Sequence, residues 1–304
     1  MAEPSTESFH QSTLGNQFIT YFAATRPAFL TASVLPVFTA LAYSWGQGGE
    51  NNALLSLLIV VSLASIHSAA NVLNDYFDSK NGTDAANEEH VYPFTGGSRF
   101  IQNQVLSEEQ MLRFGLALLA AGIAGGLLIA VNSGPLLLPL GLLGVLLAYF
   151  YSAPPCLACR GLGDLTIAVS FGLLPVVGTV YVLQGRIDIH AVWIGLVIGC
   201  FVAAILWINS VPDIEADRRA GKNTLPVRLQ KTLALRMHGL WFVTGFILII
   251  VTPLVEAGMP ALLASLPALF AAVSAWMGRV SLAIPATIVT HALVCLLLAL
   301  GFLI

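Results

Sequence analysis

The chain has 304 residues, of which 57% are hydrophobic and only 10% charged, with a formal net charge of −3. A soluble domain carries about 25% charged residues, so this composition excludes an ordinary water-soluble globule and puts most of the chain in lipid. The stretch 1–20 is polar and holds Glu3 and Glu7. It lacks the basic region and short apolar core of a cleavable signal peptide, and reads as a cytoplasmic lead-in.

A membrane-crossing helix needs about 20 apolar residues. On that measure 21–304 is a single transmembrane domain with nine expected spans, at roughly 21–44, 53–75, 111–131, 135–151, 164–183, 189–211, 233–251, 259–277 and 282–304. The expected fold class is an all-α membrane protein, nine transmembrane helices in a bundle around a central cavity. Asn132-Ser133-Gly134-Pro135 marks the turn between the third and fourth spans, and Gly278-Arg279 separates the last two. Glycines 122, 125 and 126 in the third span suit close helix packing.

Basic residues set the orientation. With the N-terminus in the cytoplasm, twelve of the thirteen Lys and Arg residues fall on the inner side (26, 80, 99, 113, 160, 218, 219, 222, 228, 231, 236 and 279), leaving Arg186 outside. The outer loops carry few acids: Glu50, Asp188 and Glu256. A bacterial inner membrane is the expected location. The cysteines Cys156, Cys159, Cys200 and Cys295 form no disulfide framework by their placement. Cys156 and Cys159 lack the two further ligands of a zinc site, so they read as incidental thiols.

Against this apolar background two polar helix ends stand out, since ionisable groups in a span usually serve function. The first motif, residues 71–84, carries Asn71, Asn74, Asp75 and Asp78 within one arc of a helix, followed by Asp84. The second, residues 209–217, carries Asn209, Asp213 and Asp217, with Pro212 predicting a kink or an unwound turn at the motif. The two spans are an even number apart, so both motifs meet the same, cytoplasmic, face. This resembles a weak parallel repeat with a site between its halves.

Two carboxylates about 6 Å apart repel by about 3 kcal/mol at an effective dielectric near 20, so acids gathered on one face call for a cation. Carboxylate and amide oxygens without Cys or His suit Mg²⁺, which keeps positions open for phosphate oxygens. Lys80, Arg99, Arg160, Lys222 and Arg228 supply positive charge for the remaining anion. The residues therefore point to a diphosphate held through Mg²⁺, with its organic part in the apolar bundle. A pairing of the acids with Arg218 and Arg219 is the competing explanation.

These motifs resemble the UbiA-type intramembrane prenyltransferases, bundles of nine helices that attach isoprenoid chains to acceptors. Thr25-Arg26-Pro27, Tyr151-Ser152-Ala153-Pro154 and Gly161-Leu162-Gly163-Asp164 extend the resemblance over nearly the whole chain. Asp213 to Leu229 and the glycine at position 82 look most like the branch that prenylates 1,4-dihydroxy-2-naphthoate in menaquinone synthesis.

The resemblance implies polyprenyl diphosphate and an aromatic acceptor as partners within the lipid bilayer, and no nucleic acid. Asp75, Asp78, Asp213 and Asp217 would be the catalytic metal-binding acids, aided by Asn71 and Asn209. Arg99, Arg160, Lys222, Lys80, Ser152 and Arg228 would contact diphosphate. Arg26, Tyr149, Tyr151, Trp207 and Asn74 would face the acceptor or the allylic cation, the aromatic rings through their π-clouds. Asp164 reads as a helix cap. His67, one turn before Asn71, leaves two readings open, a cavity-facing group or a satisfied bundle histidine. His238 and His291 carry no role. Other acceptors for the same chemistry are 4-hydroxybenzoate, homogentisate or another phenol. A divalent-cation transporter is the alternative of another class.

Overall fold

The computed structural model describes residues 3–7, 9, 13–49 and 52–304, so Glu50 and part of the lead-in lie outside the described residues. The described residues contain helices and no strand. Eight helices are long and apolar enough to cross a membrane. They are Pro27–Gly46, Ala53–Lys80, Glu108–Ser133, Gly163–Gln184, Ile189–Asn209, Leu225–Val251, Val255–Trp276 and Val280–Leu303. We label the helices in chain order as α1 (Leu14–Ala24), α2 (Thr31–Gly46), α3 (Ala53–Lys80), α4 (Glu108–Ser133) and α5 (Leu137–Phe150). Then follow α6 (Gly163–Gln184), α7 (Ile189–Asn209), α8 (Ile214–Arg219), α9 (Leu225–Val251), α10 (Val255–Trp276) and α11 (Val280–Leu303). At 14 residues, α5 is a shorter apolar helix.

The first span differs from the expected 21–44. Residues 14–24 form a separate helix, α1, which straddles the expected end of the lead-in. The chain breaks at Arg26, whose φ of 57° is left-handed, and Pro27 then starts a 3₁₀ turn into α2. Proline suits a helix start because its missing N–H would have no partner there. The capping box at Ser107 and Gln110 begins α4 three residues before the expected 111.

Helices pack closely where small residues allow it. A Cβ on Gly122 would lie 2.5 Å from Ile66 Cγ1, and one on Gly125 would lie 2.1 Å from Ser62 Oγ, so α3 and α4 touch along these positions. Gly126 differs from the expectation: a Cβ there would meet nothing within 4 Å, because the residue lines a cavity. Within α6, residues Ala168–Leu173 form a π-helical turn. It packs on α7 through Gly172, where a Cβ would lie 2.4 Å from Gly199 Cα.

Asp164 does not cap α6. It lies in the first turn, and the cap position is Leu162, which has no side-chain acceptor. Cys156 and Cys159 are joined in a disulfide, which corrects the reading of incidental thiols. The physical reason is a tight turn with Cys156 at a φ of 56°, which brings the two Cα atoms to 5.2 Å.

Gly172→Ala should lower the thermal midpoint in detergent by several degrees, because overpacking a helix contact costs about 1–3 kcal/mol. Gly178→Ala on the same helix meets nothing within 4 Å. It should hold or raise the midpoint, since Ala in a helix is favoured over Gly by about 1 kcal/mol. A calorimetric or fluorescence melt of the two variants checks this.

Candidate active site

The C-terminal end of α3 and the segment 209–222 meet over one cavity of about 620 Å³. Asn71, Asn74 and Asp78 line it from α3, and Asn209, Asp213, Asp217 and Lys222 line it from the second segment. The second motif is not a continuous helical face. α7 ends at Asn209, residues 210–213 make a turn through Pro212, and α8 restarts at Ile214. The proline interrupts the helix here, as its lost N–H donor requires.

One cation joins the two motifs. Lys222 Nζ donates to Asp78 Oδ1 at 2.7 Å and lies 3.5 Å from Asp217 Oδ1. A second bridge runs from Asn87 Nδ2 to Asp213 Oδ1 at 2.6 Å. Asp78 also accepts from Asn81 Nδ2 at 3.2 Å and from Asn74 Nδ2 at 3.1 Å. Asn74 further donates to Ser152 Oγ at 3.0 Å, so the loop after α5 is tied to α3.

Asp75 is buried. Its Oδ2 accepts from the Ser98 backbone N–H at 3.2 Å, while its Oδ1 has no hydrogen-bond partner among the described residues. Arg26 Nη1 stands 4.0 Å from that oxygen. Gly97, at a φ of 75°, lets the loop approach. A Cβ there would lie 2.5 Å from Asp84 Oδ2 and 3.1 Å from Asp75 Oδ1. Asp84 is thus brought beside Asp75, with Gln102 Nε2 3.4 Å from its Oδ2.

Burial governs the protonation of the acids outside the spans. It pushes Asp217 up to about 7; Lys222 opposes the shift, and Asp213 and Asp78 add to it. Asp213 is raised by burial, against a hydrogen bond from Asn87. Asp84 is raised by burial and then by the charges of Asp78 and Asp75. Burial works against the charge of Lys222, but Asp78 and Asp217 outweigh it and hold the ammonium above its ordinary range. Among the described residues no three His, Cys, Asp or Glu side chains stand together as a ready metal site. The Lys222 ammonium lies between the acids instead. The donor chemistry nevertheless fits a hard cation. Asp75 Oδ1 and Asn209 Oδ1 are buried oxygens without partners, and such groups are costly unless a ligand satisfies them.

Several expected residues lie elsewhere. Lys80 pairs with Glu108 at 2.5 Å, on the exposed end of α3. Arg160 donates to the Pro155 carbonyl, and Arg228 donates to the Arg160 carbonyl, both at the exposed surface. Arg99, at a φ of 67°, donates to the Asp84 carbonyl at 2.6 Å and so pins the loop. None of these four lines the cavity. Arg218 pairs with Glu215 rather than with the motif acids. Trp207 is buried against Trp241 and donates to the Ala234 carbonyl, away from the cavity. Tyr149 packs on Phe77 and Phe150, whereas Tyr151 lines the cavity. Asn71 lines it too and donates to the Thr25 carbonyl at 3.0 Å. Arg26 donates to the Phe94 carbonyl and lies over the Phe29 ring at 4.8 Å. Asn87 and Ser98 escaped the sequence reading. Both lie in an irregular loop, where spacing carries no signal.

An acid-lined cavity walled by long apolar helices defines a multi-pass integral membrane protein with a polar site at one end of its bundle. The sequence profile of the UbiA prenyltransferase family matches residues 33–284, and the chain belongs to that family. It is accordingly a prenyl-transferring enzyme. It is 34% identical to the 1,4-dihydroxy-2-naphthoate octaprenyltransferase of Haemophilus influenzae, over 69% of this chain and 68% of the relative. It is 30% identical to the Mycobacterium tuberculosis protein of the same name, over 80% and 82%. A solved UbiA homologue from Archaeoglobus fulgidus, bound to DMAPP and Mg²⁺, matches with a TM-score of 0.66 at 17% identity. The match covers 93% of this chain and 98% of that one, a likeness of fold.

The raised acids give a pH signature. With Asp217 at about 7 in the folded chain and about 3.9 unfolded, the folded state holds more protons between these values. Metal-free protein should therefore gain stability as pH falls from 8 to 6. A rise of several degrees in the thermal midpoint is expected, and millimolar Mg²⁺ should shrink the difference by stabilising the ionised acids at pH 8.

Proposed function

We propose that the protein transfers a polyprenyl group from polyprenyl diphosphate to an aromatic quinone precursor, 1,4-dihydroxy-2-naphthoate, in menaquinone biosynthesis. The observation that carries this reading is the meeting of two acid motifs, bridged by Lys222, at the polar end of a long apolar cavity. The names of the Haemophilus and Mycobacterium relatives support the acceptor.

In this reading 21–304 is one prenyltransferase domain. The bundle has nine transmembrane helices, with α5 as the short one, and the N-terminus is cytoplasmic. The distribution of basic residues supports this orientation, which puts the site at the cytoplasmic face of a bacterial inner membrane.

Asp75, Asp78, Asp213 and Asp217, with Asn71 and Asn209, would hold Mg²⁺. When bound, Mg²⁺ supplies charge neutralisation for the leaving diphosphate. Lys222 lies on the cavity wall between the acids, and in this reading it turns from Asp78 toward the diphosphate oxygens. Asn74 and Ser152 orient Asp78 from the other side. The C–O bond breaks with its electron pair leaving on diphosphate, giving an allylic cation. Tyr151 faces that cation with its ring. A ring carbon of the acceptor then forms the new C–C bond, and the aromatic ring is restored by loss of a proton. Arg26, its guanidinium poised at the cavity, pairs with the acceptor's carboxylate.

Purified protein in detergent should convert labelled polyprenyl diphosphate and dihydroxynaphthoate to a prenylated product only when Mg²⁺ is present. Asp75→Ala and Asp78→Ala should each lower kcat at least a hundredfold, the loss typical of removing transition-state charge stabilisation. Offering dihydroxynaphthoate, 4-hydroxybenzoate and homogentisate together and identifying products by mass spectrometry decides the acceptor. Full turnover by Asp75→Ala would sink the site assignment.

A further inference from the structure

Deep to the acid motifs, one stretch of the cavity wall is polar for no reason that the diphosphate explains. His67 on α3 is 5% exposed and lines the cavity together with Ser33, Phe29 and Phe171. Its ring lies 4.3 Å from the Phe171 ring, tilted by 51°. Phe171 and Ser170 are presented to the cavity by the π-helical turn of α6. Such turns are frequent at functional sites because they re-aim side chains.

The contacts of Ser33 favour one tautomer of His67. Ser33 Oγ lies 3.0 Å from the Leu30 carbonyl, which can only accept, so the single hydroxyl proton of Ser33 is committed there. Ser33 Oγ also lies 3.0 Å from His67 Nδ1. With that proton on Leu30, Ser33 accepts from Nδ1–H, the tautomer taken here. The neutral imidazole then keeps a bare lone pair on Nε2. Nε2 has no hydrogen-bond partner among the described residues. A hydrocarbon tail cannot satisfy that lone pair, whereas a polar group entering the cavity can.

We infer that His67, oriented by Ser33, is the seat for a ring hydroxyl of the aromatic acceptor: the hydroxyl donates to His67 Nε2, with Phe171 and Phe29 beside the ring. This rests on the proposed aromatic prenyltransfer and adds to it the residue that reads a free hydroxyl. Ser33 and His67 sit on α2 and α3, so the seat is built between rigid helices. It is a hydrogen-bond acceptor and therefore selects a donor. A methyl ether at the same ring position presents no proton and adds bulk, and is rejected.

The test compares dihydroxynaphthoate with its two mono-methyl ethers, using wild type, His67→Phe, His67→Gln and Ser33→Ala. KM for acceptor and for polyprenyl diphosphate are measured separately. Wild type should prefer the free dihydroxy compound over one of the ethers by tenfold or more. His67→Phe should raise the acceptor KM about tenfold, leave the diphosphate KM within about twofold, and lose the preference against that ether. His67→Gln, whose amide oxygen can accept the same proton, should recover part of it. Ser33→Ala, which frees the ring to change tautomer, should raise the acceptor KM several-fold in the same direction, and these two milder variants decide the matter if His67→Phe does not fold. Unchanged acceptor KM and ether preference, or a rise confined to the diphosphate KM, overturns the seat while prenyltransfer stands. A wild type that prenylates no hydroxylated aromatic overturns the proposed function, and the seat with it.

Discussion

The rest of the site depends on Lys222 lying between Asp78 and Asp217. Four acids and two asparagines converge from two separate helix ends, and ionised carboxylates at such spacing repel by several kcal/mol in a protein interior. A single ammonium with contacts to both motifs offsets part of that repulsion, and protons on the raised acids outside the spans offset more. The chain therefore has a way to remain folded before substrate arrives. It also bears on the proposed Mg²⁺ binding. The ion would replace protons and release the lysine to the anion it accompanies, so the same charges serve stability first and binding later.

The loop between α3 and α4 is the second half of this arrangement. Asp84, Asn87, Gly97, Ser98 and Arg99 all come from it, and each touches a motif acid or holds the loop near one. Arg99 illustrates the division of labour. Its guanidinium grips the Asp84 carbonyl from outside the cavity, so its charge shapes the loop rather than facing the polar end directly. The loop is anchored to α3 through Asp75 and to the second motif through Asp213, and so it joins the two halves of the bundle over the acids.

Much of this was legible in the sequence, because lipid imposes simple rules. Long apolar runs, a scarcity of charge and acids at two helix ends are visible without coordinates, and so are most of the long helices and the positions of Asp75, Asp78, Asp213 and Asp217 at helix ends. What was illegible depends on backbone conformations that periodicity does not encode. The left-handed Arg26 cuts off α1, and the π-helical turn rotates Ser170 and Phe171 into the cavity, whereas the break at Pro212 was announced by the proline itself. The places of the basic residues were illegible for a related reason. Arg160, Arg228 and Lys80 satisfy the charge asymmetry of a membrane protein from its surface, where carbonyls and Glu108 occupy them. Trp207 sits two residues before the second motif, yet its indole N–H turns toward the Ala234 carbonyl because a buried donor needs a partner.

The shape of the apolar part completes the link from sequence to chemistry. The cavity is lined on α3 from Ile59 to Asp78, a run that rises about 29 Å at 1.5 Å per residue. That is close to the thickness of a bilayer's hydrocarbon core, about 30 Å. Its wall toward α5 is made of small and flexible aliphatic residues such as Gly141, Gly144 and Leu138. α5 itself has no fully buried residue, so it packs less tightly than the other helices. Leu127, Leu138 and Leu142 line the cavity and are each more than half exposed. A helix this short and this loosely packed serves no purpose around a small polar substrate. Beside a long isoprenoid it does, since an apolar chain lying along the helices can pass from the cavity into the bilayer without ever meeting water.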